Sequence, residues 1–178
     1  TTGGTTTNLG DGYDAVISLN PSFGTEILSE LELFVGAHYT DTAGNNPSTI
    51  DDDKYEGVGG ITYALGPVSI GAQWSGEYLG DKTTVTDYNA YKNHAFGVAF
   101  NISDNLSVSY GEHSSRKEGY NNHNWGMGQA NREAKVDAFQ AAYTWGGASI
   151  RYAFIDAKNT GFGGSDTKAK VVSLGLAF

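Results

Sequence analysis

The chain has no cysteine, one methionine and three prolines among its 178 residues. Without cysteine there is neither a disulfide framework nor thiolate chemistry. No stretch approaches the roughly 18 continuous apolar residues that a membrane helix needs. That absence leaves a membrane β-barrel open, because its signal per strand is weak. Basic residues are scarce, with 11 Lys and Arg against 20 Asp and Glu for a net charge of −9. No basic stripe offsets that balance, so nucleic acid is not an expected partner. The four histidines, His38, His94, His113 and His123, show no short metal-ligand spacing. No Ser/His/Asp constellation stands out, so no catalytic residue, metal or cofactor is expected.

The chain is rich in glycine (25) and tyrosine (11), a balance that suits β-structure better than helix. Alternation of period two recurs along almost its whole length, as strands require. It predicts nine strands, at about 12–20, 29–40, 54–65, 67–79, 88–102, 105–114, 134–145, 148–157 and 167–178. Gly66-Pro67, Ser103-Asp104 and Gly146-Gly147 read as hairpin turns. The connections at 41–53, 80–87, 115–133 and 158–166 are longer, polar and rich in Gly, Asn, Asp and Thr. Tight and long connections therefore alternate, and all the long ones fall at one end.

The two faces of these strands are unlike. One carries aliphatic residues in mid-strand, such as Ile17, Leu33, Val35, Ile61, Ile70 and Val98. Aromatic residues gather near its strand ends, among them Tyr13, Tyr39, Tyr55, Tyr78, Tyr143 and Trp145. Aromatic girdles around an apolar band about 25 Å tall mark transmembrane barrels. The other face is small and mildly polar, with Gly60, Thr62, Ser69, Gln73, Ala95, Gly97, Ser109, Gln140, Ser149 and Ser173. An eight-stranded barrel has an interior that side chains must fill, which these residues would leave empty. They suit a wide, water-filled lumen.

The chain closes with Val172-Ser-Leu-Gly-Leu-Ala-Phe178, which resembles the C-terminal strand of bacterial outer-membrane barrels. In that group the terminal aromatic is read by the assembly machinery. Three further segments join strand, tight turn and strand: Tyr63-Ala-Leu-Gly-Pro-Val-Ser-Ile70, Phe96-Gly-Val-Ala-Phe-Asn-Ile-Ser-Asp-Asn-Leu-Ser-Val-Ser-Tyr110, and Ala142-Tyr-Thr-Trp-Gly-Gly-Ala-Ser-Ile150. With these, the chain resembles the C-terminal part of a general diffusion porin of the alphaproteobacterial type. The resemblance implies an all-β fold, a transmembrane antiparallel up-and-down barrel of 16 strands in full with about nine in residues 1–178. It also implies a homotrimer in the bacterial outer membrane, in contact with lipid, passing small hydrophilic solutes and ions. Nine strands cannot close an even-numbered barrel, so a preceding segment or separate N-terminal piece is expected.

The pore-lining candidates are Arg151, Gln140, Gln73, Thr62, Glu32 and Glu56. Arg151 is either a wall charge that sets a local field or half of a structural ion pair. The acidic run Asp51-Asp52-Asp53 reads as a solvated loop end rather than a Ca²⁺ loop, and segment 112–133 as a loop packed by its own aromatics. Three rivals stand: a complete eight-stranded barrel over 29–178 acting as anchor or surface-binding protein, a barrel enzyme acting at the rim, and a soluble sandwich.

Overall fold

In the computed structural model the described residues are 11–21, 29–41, 53–79, 88–119 and 132–176. They form one nine-stranded antiparallel sheet in which every strand pairs with its sequence neighbour. The strands are β1 (Gly12–Leu19), β2 (Leu31–Thr40), β3 (Lys54–Leu65), β4 (Val68–Tyr78), β5 (Tyr88–Ser103), β6 (Leu106–Gly119), β7 (Arg132–Trp145), β8 (Ala148–Thr160) and β9 (Ser165–Leu176). No described helix is long and apolar enough to cross a membrane. Phe178, Asp51, Asp52 and residues 120–131 lie outside the described residues, and with them parts of the expected loops and the terminal aromatic.

Two tight turns show why the sequence pairs as it does. Gly66 and Gly146 take φ values of +56° and +51°, with a Cβ at either meeting nothing within 4 Å. A leading glycine with positive φ is the two-residue turn whose twist matches a hairpin. The constraint is therefore on the backbone and not on space.

β6 to β9 run further than the periodicity predicts. β6 continues to Gly119, β7 begins at Arg132, and β8 and β9 are joined by only four residues, 161–164. The expected long connection at 158–166 is thus a short turn on extended strands. Charged residues in alternation look like loop in a sequence, but here they pair across the ladder. Lys92 bonds Glu118 at 2.9 Å, and Lys158 bonds Asp166 at 3.0 Å.

Among the described residues no hydrophobic side chain is buried, and the fully buried one is Ser114, whose Oγ donates to Glu133 at 2.5 Å. The large apolar side chains instead stand open on one face, Trp74 at 59% and Val172 at 66% exposure. The sheet has an apolar face but no core.

The apolar band does not run square to the strands. The register row that starts at Leu19, the short-turn end of β1, passes through Leu33, Ile61, Ala72, Phe96, Glu112, Asp137 and Asp156 to Lys168. On β9 the apolar residues lie below that point and reach Leu176. The band thus descends by 176 − 168 = 8 residues over the eight steps from β1 to β9, one residue per step. With a rise of about 3.3 Å per residue and about 4.8 Å between strands, the strands tilt about 35° from the normal of the band. Tyr13, Tyr39, Tyr55 and Tyr78 mark its upper edge on β1–β4, ring centroids 5.4–6.4 Å apart. Tyr110, Phe139 and Phe154 share a row on β6–β8, eight register positions below the point where the tyrosine row meets β6 at Glu118.

Gly146→Ala is expected to cost about 1–2 kcal/mol, the penalty for a left-handed L-residue, whereas Gly147→Ala, outside the positive-φ set, is near neutral. Thermal unfolding of the two variants would measure both, and equal losses would refute this account of the turn.

Candidate functional site

The site is the polar face of the sheet. The register places Glu32, Glu56, Thr62, Gln73, Gln140 and Arg151 all on that face, and five of the six border one of three shallow depressions there. In the largest, about 520 Å³, Glu32, Thr62 and Gln140 meet, and Thr62 Oγ1 donates to Glu32 Oε2 at 3.3 Å. Gln140 also borders a second depression of about 380 Å³ with Arg151, Ser107, Ser109 and Ser173. Glu56 stands apart in a third, about 310 Å³, near the long-connection end with Asp14, His38 and Glu77. Gln73 is on none of these lining sets and pairs in register with Gly60 and Ala95.

Arg151 is exposed and makes no ion pair among the described residues. Its cross-strand partners are Ala142 and Ser173, which leave the guanidinium open to water. Of the two expectations for Arg151, the described residues offer no carboxylate for a structural pair. The other described Lys and Arg lie toward the long-connection ends of their strands, except Lys170, which lies in mid-β9 on the apolar face, opposite Phe154.

Charge is uneven along the polar face. Asp14, Glu32, Glu56 and Glu77 lie on β1–β4 with Lys54 at the head of β3, while Lys117, Arg132 and Arg151 lie on β6–β8. Glu56 and Glu77 are direct register partners, an unfavourable like-charge pair that water at an open wall screens. The face also carries bulk that its small, polar pattern did not announce. Phe34, Val58, Val136 and Ile155 share it, and Phe34 lays its ring over Gly60, where a Cβ would collide with it.

At the long-connection end, β5, β6 and the β8–β9 turn converge. Lys117 Nζ stands 4.2 Å from the ring centre of Tyr88, 5.8 Å from Tyr91 and 5.4 Å from Phe162. Cation–π contacts of this reach are worth about 0.5–2 kcal/mol according to desolvation. Lys117 meets no carboxylate among the described residues, so the rings are its counterpart. Asn159 holds the turn with every polar group it has. Its N–H donates to Asp166 Oδ1 and its carbonyl accepts from Phe162 N–H. Its Oδ1 accepts from Gly164 N–H at 2.6 Å, and its Nδ2 donates to the Glu133 carbonyl at 2.6 Å. Neither Asn159 nor Phe162 carries a local sequence signal for this role. Lys117 and Tyr91 were within reach of the alternation, had β6 been followed past 114.

Among the histidines, His38 and His113 lie on the polar face and His94 on the apolar face, while His123 lies outside the described residues; among the described residues no group of three His, Asp or Glu is arranged to hold a metal. His38 Nε2 hydrogen-bonds Thr40 Oγ1 at 2.8 Å.

Asp166 lies beyond the apolar band. The Asn159 N–H, and after it the Lys158 ammonium at 3.0 Å, hold its carboxyl below the usual carboxylate range. A depressed pKa gives stability that is complete above the ordinary aspartate value near 3.9 and is lost as pH falls through the lowered one. The β8–β9 turn is therefore expected to stay closed at pH 4 and to loosen only under stronger acid. The ¹³C shift of the Asp166 carboxyl would follow this, and a midpoint at or above the free-aspartate value would overturn it. Gly60→Ala should displace the Phe34 ring at a cost of about 1–3 kcal/mol, with most of the loss recovered in Gly60→Ala/Phe34→Ala; additive losses in that cycle would show that the two do not touch. No protein-family model matches the chain and no curated protein matches it, so the geometry carries the functional reading.

Proposed function

We propose that this chain forms part of the wall of a water-filled β-barrel in the bacterial outer membrane, through which small hydrophilic solutes and ions diffuse passively. The observation that carries the reading is an apolar face with no core beneath it. A sandwich buries its apolar face against a second sheet, whereas here the whole chain supplies one sheet among the described residues. A tilted band edged by aromatic rows is what a bilayer asks of a barrel. The tilt of about 35° falls within the range of barrel strands, roughly 35–45°. Phenols at the upper edge turn their polar ends to carboxylates, Tyr39 to Asp53 at 2.8 Å and Tyr110 to Asp137 at 2.6 Å. Such amphipathic rings suit the boundary between hydrocarbon and water.

Closure needs further strands. β1 and β9 run in the same direction, and each has one edge without a partner among the described strands. Open edges are not tolerated in hydrocarbon. Antiparallel neighbours on both edges require an odd number of added strands, and seven would complete the 16 that the porin resemblance implies. The rival reading of an eight-stranded barrel over 29–178 must treat 12–19 as an extension. Yet β1 pairs with β2 over its entire length, from Gly12↔Thr40 to Leu19↔Leu33, which favours the wider barrel. The trimer and the diffusing solutes follow from the same resemblance, and selectivity would come from pore radius and from wall charges. In this reading passage through the pore involves no covalent step.

Reconstitution of the full-length protein tests the reading. Stable ohmic conductance in planar bilayers, and swelling of proteoliposomes in isotonic monosaccharide, are the expected results. Solubility without detergent, or no conductance with a native mass near one chain, would refute it. In the same bilayers Arg151→Glu is expected to shift the reversal potential under a KCl gradient toward cation preference. An unchanged potential would remove Arg151 from the conducting path.

A further inference from the structure

The turn at 161–164 does not stay over its own strands. The Phe162 ring lies 6.2 Å from that of Tyr91 on β5 and 5.4 Å from Lys117 Nζ on β6. Arg132 on β7 donates from Nη1 to the Phe162 carbonyl at 3.1 Å. Strands lie about 4.8 Å apart, so β8 is roughly 14 Å from β5, and the Phe162 ring bridges that distance together with the Tyr91, Lys117 and Arg132 side chains that reach toward it. The side it covers is fixed by register: Tyr91, Lys117 and Arg132 continue one row from Glu56 and Glu77, on the polar face.

Two independent features show that this placement is enforced. Phe162 has φ +61°, which is rare for a bulky residue and persists only where the surroundings over-determine it. Asn159, three residues earlier and at φ +51°, closes the turn through its N–H, carbonyl and Oδ1 and ties it to β7 through Nδ2 to the Glu133 carbonyl. Lys117 is the second feature. It directly neighbours Arg132 in register and has no carboxylate among the described residues, so only the three rings stabilise its charge there. Relaxing the turn would remove one ring from the ammonium and the carbonyl acceptor from Arg132.

We propose that the β8–β9 turn is an inward-folded strap latched by Lys117 onto β5 and β6, and that Phe162 at its tip is a specificity-determining residue that sieves solutes by cross-section at the long-connection mouth. This rests on the porin reading above. A ring stacked on the wall discriminates by bulk and not by charge, so the substrate class it acts on is neutral hydrophilic solutes of increasing size, such as mono- to trisaccharides.

The absence of native cysteine allows the strap and the sieve to be tested separately in the full-length protein. Tyr91→Cys/Phe162→Cys should be joined by a short bifunctional thiol reagent, while Gln73→Cys/Phe162→Cys should react without joining. In proteoliposomes Phe162→Ala should raise trisaccharide entry several-fold relative to monosaccharide. Lys117→Met should do the same, with Lys117→Arg restoring the wild-type ratio. If both cysteines label singly but never join, the strap is refuted whatever the conductance. If they join but Phe162→Ala leaves the size ratio unchanged, the sieve is refuted and the porin reading stands. A wild-type protein that passes no solute overturns the porin reading and the sieve together, even where the cross-link forms.

Discussion

The two-residue period of a strand, held in register across the ladders of a single sheet, is the constraint on which everything else in this molecule rests. Because successive side chains alternate faces, a slip of one residue in any ladder would exchange the apolar and polar faces from that strand onward. Six of the ladders run without a break, and the irregular ones confine their shifts to strand ends, at Tyr88/Ala90 and Asn101/Ser103 in β5–β6 and at Ala157/Thr160 in β8–β9. There is no interior to correct a mistake, since no hydrophobic side chain is buried among the described residues. Register is therefore set by the backbone ladder and the hairpin turns, with Gly66 and Gly146 supplying the left-handed positions.

The charges above the apolar band follow from the same ladder. Glu118 serves both Lys92 and Arg116, and Asp156 serves both Lys158 and Lys168. Exposed pairs of this kind are worth about 0–1 kcal/mol each, so they do not hold the sheet together. Their effect is on extent: they neutralise cross-strand neighbours that would otherwise repel, and so let β6–β9 continue beyond the band as strands. That extension carries the polar wall upward to where the β8–β9 turn can fold across it.

Most of the architecture was legible in the sequence because it is written in alternation, which is local. All nine strands, their two faces and the tight turns at 66–67 and 146–147 follow from it, as does the shared face of Arg151, Gln140, Gln73, Thr62, Glu32 and Glu56. The strand ends did not follow, because residues such as Arg116, Lys117, Glu118, Lys158 and Asp166 have the composition of a loop until their partners are known. Phe162 was illegible for a stronger reason. Its position depends on Tyr91 and Lys117, far away in sequence and across two intervening strands, and nothing between Gly161 and Gly163 announces them. Phe34 posed the same difficulty, since its fit on the polar face depends on Gly60 opposite.

A wall of small residues and a strained aromatic turn are complementary if the chain lines a pore. Alanine, glycine and serine along β5–β9 keep the polar face low, and a low wall in a wide barrel offers solutes little to discriminate against. Discrimination by size must then come from a group that leaves the wall, and such a group must be anchored against flow and thermal motion. A strand residue cannot do this, because its reach is one side chain. A turn can, provided that backbone and side-chain bonds hold it in a conformation it would not choose. The bonds spent by Asn159, the left-handed Phe162 and the ring-stacked ammonium of Lys117 together meet that requirement. The strain is thus best understood as the cost of projecting a side chain from a wall that is otherwise built to stay out of the way.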